Sequence, residues 1–217
     1  MTRLLPYRSA DERRAAHGEL ARHLAAGGII AYPTETVYGL GCRLDDVALT
    51  RLAAFKGDRP FLLLIRGRGD ALGLHWTEDA DRLAAAFWPG PLTLALAAEP
   101  EAYPPQVVGT GGTVAVRVSP HPAIPDLLEA AGGPVTSTSA NAPGEPPARD
   151  ATAAAHVAAA VAALAAERRG AEAGGGGDEE DRTVLVLDGG RLPQARPSTI
   201  VGCGERTRVL REGALPV

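Results

Sequence analysis

Thr113-Val114-Ala115-Val116-Arg117-Val118 alternates strictly, so its side chains fall on the two faces of an extended strand. Val114, Val116 and Val118 share one face, which is wholly apolar. Thr113, Ala115 and Arg117 share the other. An arginine set mid-strand among apolar residues needs an anionic partner, because an unpaired buried charge is expensive. The partner is either an internal carboxylate or an anionic ligand, and this segment alone favours neither.

Working outward, similar strands alternate with helical stretches. Ile29–Tyr32 is a buried strand stopped by Pro33, Phe61–Ile65 an apolar strand covered on both faces, and Leu92–Leu96 a third. Pro134–Thr138 is extended, as are Thr183–Leu187, Ser198–Val201 and Arg208–Leu210. Between them lie helices. One has capping-box spacing at Ser9-Ala10-Asp11-Glu12 and ends at Gly27-Gly28. A second opens at Asp45 or Asp46 and runs through Phe55. A third opens at Thr77 and stops at Trp88-Pro89-Gly90-Pro91, and a fourth follows His121-Pro122 and ends at Gly132-Gly133. This alternation predicts an α/β fold of two or three layers around a twisted sheet, in a single domain of 217 residues. Ala151–Ala166 is nearly all alanine and helix-forming. It leads to Gly174–Gly177 and Asp178-Glu179-Glu180-Asp181, so 151–181 reads as a helical, then flexible and solvated, excursion. Four carboxylates beside the glycines would repel a phosphate, and no Lys-Ser/Thr follows them as a P-loop requires.

Composition narrows the function. A net charge of −4 argues against avid, non-specific nucleic-acid binding and for a small anionic ligand held locally. No apolar run approaches the ~20 residues of a membrane span, so no membrane role is expected. Cys42 and Cys203 are too few and too distant for a disulfide framework or zinc site, which suggests a reducing, cytoplasmic setting. The five histidines show no metal-ligand spacing, and no metal-ligating residues are expected.

Val135-Thr136-Ser137-Thr138-Ser139-Ala140-Asn141 holds the densest run of hydroxyls and amide in the chain. If extended, it points Ser137, Ser139 and Asn141 to one side, at a strand's end, where ligands of open α/β sheets commonly sit. Such a row suits phosphate oxygens or a magnesium shell; as an isolated motif it equally suits a Ser/Thr-rich turn. Thr34 and Thr36, after the strand ending at Tyr32, face one side, and Gly39 and Gly41 permit close backbone approach. Glu35 between them reads as a structural or helping group. Lys56, at a helix C-terminus, is either a phosphate counter-charge or a partner of the helix dipole.

Singly these motifs say little; their joint order says more. AYPTETVYGLGC (31–42), FKGDRPFLLLI (55–65), FWPGPLTLAL (87–96), TVAVRVSPHP (113–122), PVTSTSANAPGEP (134–146), LDGG (187–190), RPSTIV (196–201) and VLREGAL (209–215) together resemble the threonylcarbamoyl-AMP synthase family, from about residue 20 to the C-terminus. The resemblance implies a YrdC-like α/β fold, a twisted open mixed sheet with flanking helices and a concave ligand-binding face. It implies an enzyme, a nucleotidyltransferase that condenses L-threonine, bicarbonate and ATP, with Mg2+, to threonylcarbamoyl-AMP and pyrophosphate. Downstream tRNA threonylcarbamoyl-transfer proteins would take the product, with a weak tRNA contact of its own left open.

By matching positions, Lys56, Ser139 and Asn141 would be catalytic. Lys56, Arg59, Thr113, Ser139, Asn141 and Arg211 would bind ATP, and Thr34, Arg117, Ser137 and Ser198 would bind threonine. One departure stands out. The loop Lys56-Gly57-Asp58-Arg59-Pro60 is short, with Asp58 where the family places an arginine. A second reading is therefore a non-catalytic or differently specific nucleotide- or RNA-binding relative, and a third is a related carbamoyl-adenylate-handling enzyme.

Overall fold

A computed structural model describes residues 1–171 and 183–216. The expected flexible excursion lies, beyond residue 171, outside the described residues.

Helix boundaries follow local chemistry. Helix α1 (Ala10–Ala25) begins at Ser9, whose hydroxyl accepts the Glu12 N–H while Glu12 accepts the Ser9 N–H, the capping box read from sequence. Asp45 caps α2 (Asp46–Lys56) and Thr77 caps α3 (Glu78–Phe87) through the same kind of side-chain bond. Helix α4 (Ala123–Ala131) closes on left-handed Gly132, and the alanine run forms α5 (Ala151–Ala171).

Eleven strands among the described residues form one mixed sheet. They are β1 (Thr2–Pro6), β2 (Ile29–Tyr32), β3 (Gly39–Gly41), β4 (Leu62–Leu64), β5 (Leu92–Ala97), β6 (Val108–Gly109), β7 (Thr113–Arg117), β8 (Val135–Ser139), β9 (Val184–Asp188), β10 (Thr199–Cys203) and β11 (Thr207–Arg211). Their order across the sheet is β1-β9-β2-β3-β8-β4-β7-β5-β10-β11, with β6 alongside β7. The pairs β1/β9, β9/β2, β4/β7 and β5/β10 are parallel, and the remainder are antiparallel.

Helices cover both faces, giving three layers. On β2, Ile29 and Ala31 join a core built with Leu49 and Leu52 of α2, Ala80 of α3, and Ala154, Ala158 and Val161 of α5. Ile30 and Tyr32 point the other way, into a second core with Leu20 and Leu24 of α1 and Ile124, Leu127 and Leu128 of α4. Val114 and Val116 belong to the first core, as alternation requires.

The second core stops at Leu62, Leu64 and Val135. Registers carry the same face onward. Leu64 pairs with Arg117, and Leu62 pairs with Ser137. Ala95 pairs with Ala115, and Ala97 with Thr113. On this half of the sheet the face bears polar and small side chains in place of leucines. That change of character positions the site.

Candidate active site

Two clusters of polar side chains lie along this half of the sheet, one at the end of β8 and one on this face. The first gathers at the end of β8. Gly57, at φ 81°, turns the chain sharply after α2 and leaves Lys56 as the helix's last residue. The Lys56 Nζ donates to the carbonyl oxygens of Ser139 and Asn141, both at 2.9 Å, and to Asn141 Oδ1 at 3.0 Å. Ser139 Oγ donates to the same Oδ1 at 2.5 Å, and Asn141 Nδ2 donates to the carbonyls of Ala142 and Glu145. Burial lowers the Lys56 pKa, and repulsion from nearby Arg59 adds to that effect. Arg59 and Asp58 are both exposed. The three residues expected to be catalytic are therefore brought together, with Arg59 close by. Asn141 lies in a turn beyond the strand, so it does not continue the row of Ser137 and Ser139.

The second cluster centres on Arg117, which is buried at the end of β7. Its Nε donates to the Gly90 carbonyl at 3.3 Å, and its Nη2 forms an ion pair with Glu35. The internal carboxylate partner that alternation left open is thus Glu35. Glu35 Oε2 also accepts the Ser119 hydroxyl at 2.6 Å. Ser198, buried just before β10, shares a hydroxyl contact of 2.9 Å with Thr93 Oγ1 and accepts Arg211 Nη2 at both its carbonyl (2.8 Å) and its hydroxyl (3.2 Å). Arg211 is held there because the chain doubles back after β11. Ala214 N–H donates to the Pro197 carbonyl, and Thr199 Oγ1 donates to the Leu215 carbonyl.

The charges in this cluster feel one another. Burial lowers the Arg117 pKa, with Tyr32 opposing and the Arg211 charge adding to the fall. Burial likewise lowers the Arg211 pKa. The two guanidinium groups thus lie near enough for each to feel the other's charge.

Ser137 connects the clusters, sitting two residues before Ser139 on the same face, and the Tyr32 hydroxyl beside it donates to the Thr136 carbonyl at 3.0 Å. Thr113 lies further along the face of Arg117, its hydroxyl donating to the Thr110 carbonyl at 3.2 Å. Thr34 is buried and its hydroxyl ties its own loop: it donates to the Val37 carbonyl and accepts the Thr36 and Val37 N–H groups. The 3.1 Å contact between Thr34 and Thr36 hydroxyls puts the two on one side, as expected.

Close backbone approach explains the glycines of β3. A Cβ on Gly41 would run into the Thr136 carbonyl, and one on Gly39 would press on the Tyr32 ring. Two partners escaped the sequence reading. Thr93 was detectable as a lone hydroxyl in an apolar strand; Ser119 carried no signal at all. Among the described residues no group of three or more His, Cys, Asp or Glu could hold a metal ion. No helix there is long and apolar enough to cross a membrane.

Fold and site define an α/β protein with a cationic, hydroxyl-rich sheet face. The chain belongs to the Sua5/YciO/YrdC family, whose model, described as "Telomere recombination", matches residues 22–173. A threonylcarbamoyl-AMP synthase of Alkalilimnicola ehrlichii is 46% identical over 139 residues, 62% of this chain and 72% of that protein. Pyrococcus abyssi Sua5 complexed with L-threonine matches at TM-score 0.75 and 30% identity. All of this chain is covered in that match, and it spans 58% of the Pyrococcus chain. Escherichia coli YciO matches at TM-score 0.73 and 25% identity, covering 98% of this chain and 95% of its own.

Proposed function

We propose that this chain is an L-threonylcarbamoyladenylate synthase. It condenses L-threonine and bicarbonate to an N-carboxylate, releasing water. A carboxylate oxygen then attacks the α-phosphorus of ATP and pyrophosphate leaves. The product serves N6-threonylcarbamoyladenosine formation in tRNA, passing to tRNA threonylcarbamoyl-transfer proteins. The observation that carries this reading is the proximity of two cationic clusters to one strand, Lys56 at the end of β8 and Arg117 on the face that β8 shares through Ser137. One suits an amino-acid carboxylate and the other a polyphosphate.

In this reading Arg117 meets the threonine carboxylate by a charge-assisted pair, with Thr34, Ser137 and Ser198 around it. Lys56, Arg59, Thr113, Ser139, Asn141 and Arg211 surround ATP. No covalent nucleophile is required, so positioning and charge stabilisation do the catalytic work, as in other nucleotidyl transfers. Magnesium arrives with ATP as part of the substrate.

The test is pyrophosphate release from ATP with magnesium and bicarbonate, with and without L-threonine. Threonine-dependent release, lost in Arg117→Ala and Ser139→Ala, is the expected result. ATP binding without release would favour a second reading, nucleotide binding without turnover. Asp58 in the short loop and the fully engaged Lys56 ammonium are the features that favour it.

A further inference from the structure

The Arg117 side chain is only 6% exposed, and the group paired with it, Glu35, is 18% exposed. A carboxylate grips a guanidinium in bidentate fashion through Nε and Nη2, or through Nη1 and Nη2. Both arrangements need Nη2. Nη2 is buried against Glu35, which shuts both of its N–H groups off from an incoming ligand, while the Gly90 carbonyl takes Nε. A ligand carboxylate therefore cannot seat itself with two bonds while Glu35 stays in place.

Glu35 is itself secured from behind, since its other oxygen accepts the Ser119 hydroxyl, and that hydroxyl accepts the His121 N–H at 3.2 Å. Its backbone lies in the loop between β2 and β3, tied by the Thr34 hydroxyl. What can move is the side chain, which has three rotatable bonds.

We infer that Glu35 is a specificity-determining residue: an exchangeable counter-anion in the carboxylate seat of Arg117, which gives way only to another carboxylate. The inference rests on the assignment of Arg117 to the threonine carboxylate. A neutral ligand that pushed Glu35 aside would leave a buried guanidinium unpaired, a costly state. A carboxylate replaces charge with charge. Measured affinity is then a difference between two carboxylates competing for one cation, and weakening the incumbent strengthens the ligand.

Calorimetric titration of L-threonine and of L-threoninamide into the wild type, Ser119→Ala, Glu35→Gln and Arg117→Ala decides the matter. Ser119→Ala removes the hold on Glu35 and is expected to tighten L-threonine about threefold. Glu35→Gln is expected to tighten it by at least about tenfold. L-threoninamide gains nothing in either variant, and Arg117→Ala abolishes threonine binding. If both variants bind threonine no tighter than the wild type while Arg117→Ala still abolishes binding, Glu35 is a fixed support. The gate then falls and the threonine assignment stands. If Arg117→Ala binds threonine as well as the wild type, the assignment falls and takes the gate with it. Should Glu35→Gln not fold, Ser119→Ala decides alone, because it leaves the ion pair in place.

Discussion

The Lys56 ammonium has three N–H donors, and three oxygens from Ser139 and Asn141 receive them. A phosphate reaching this lysine must share a donor or meet its charge through space. Lys56→Met is therefore expected to do two separable things. Threonine-dependent pyrophosphate release falls on the order of 100-fold, as for loss of one preorganised charge in a transition state. Stability falls by about 1 kcal/mol, because half-buried acceptors lose their partner. A urea titration beside the activity assay reads both. Asp58 presents the opposite case, being exposed and acidic near two cations. Asp58→Arg is expected to lower the KM for ATP severalfold and to move the melting temperature by less than about 2 °C, since exposed substitutions rarely change stability. An unchanged KM would place residue 58 outside the reach of the triphosphate. At this scale the legible part of the site was what alternation dictates, namely the shared face of Thr113 and Arg117. The Glu35 partner was not legible, because 82 residues separate it from Arg117 and only the folded sheet brings them together.

Elements were legible wherever a boundary carried its own chemistry. Caps at Ser9, Asp45 and Thr77 fall where hydroxyls and carboxylates precede periodic apolar residues. Ser9→Ala removes one half of a reciprocal box and is expected to cost about 1 kcal/mol, seen as a melting temperature lower by about 2–4 °C. The strands missed in sequence are those without a pattern to read. Strand β1 mixes Arg3 and Pro6 with exposed Leu4, β3 is Gly39-Leu40-Gly41, and β6 is two residues long. Strand β3 nonetheless stands between β2 and β8 and holds the hydroxyl row in register. Gly41→Ala sets a Cβ against the Thr136 carbonyl, where no side chain can yield. It is expected to unfold the protein or to cost at least about 3 kcal/mol, and a near-wild-type urea midpoint would contradict the packing described.

Across the whole molecule the two cores bury groups that would ionise in alkali. Burial is the foremost cause in each case. The Cys42 thiol is pushed from 9.0 up to about 12, Cys203 up to about 11, and the Tyr38 phenol from 10.0 up to about 12, with Tyr7 and Tyr32 also raised. The folded chain keeps protons that the unfolded chain releases, so this stabilisation is complete below about pH 9 and is lost as pH climbs through 12. Lys56, Arg117 and Arg211, all lowered, act in the opposite sense, and the thiols and phenols outnumber them. The urea midpoint is expected to hold level to about pH 9 and then to fall steeply by pH 11. A flat profile would mean these groups are hydrated. Legibility at this scale was good for the layered α/β architecture, which follows from element order, and poor for strand order, which local pattern does not encode.

Strand β9 enters the sheet between β1 and β2, parallel to both, although about 180 residues of chain separate it from the first and about 150 from the second. A ribosome making this protein therefore releases the first two strands of that trio long before the one that joins them. Until residue 188 has emerged, Leu5, Ile30 and Tyr32 border an open slot, and the nascent chain cannot close its second core. The fold is completed late in synthesis, and a product stalled in α5 would be a target for proteases and chaperones rather than a half-working protein.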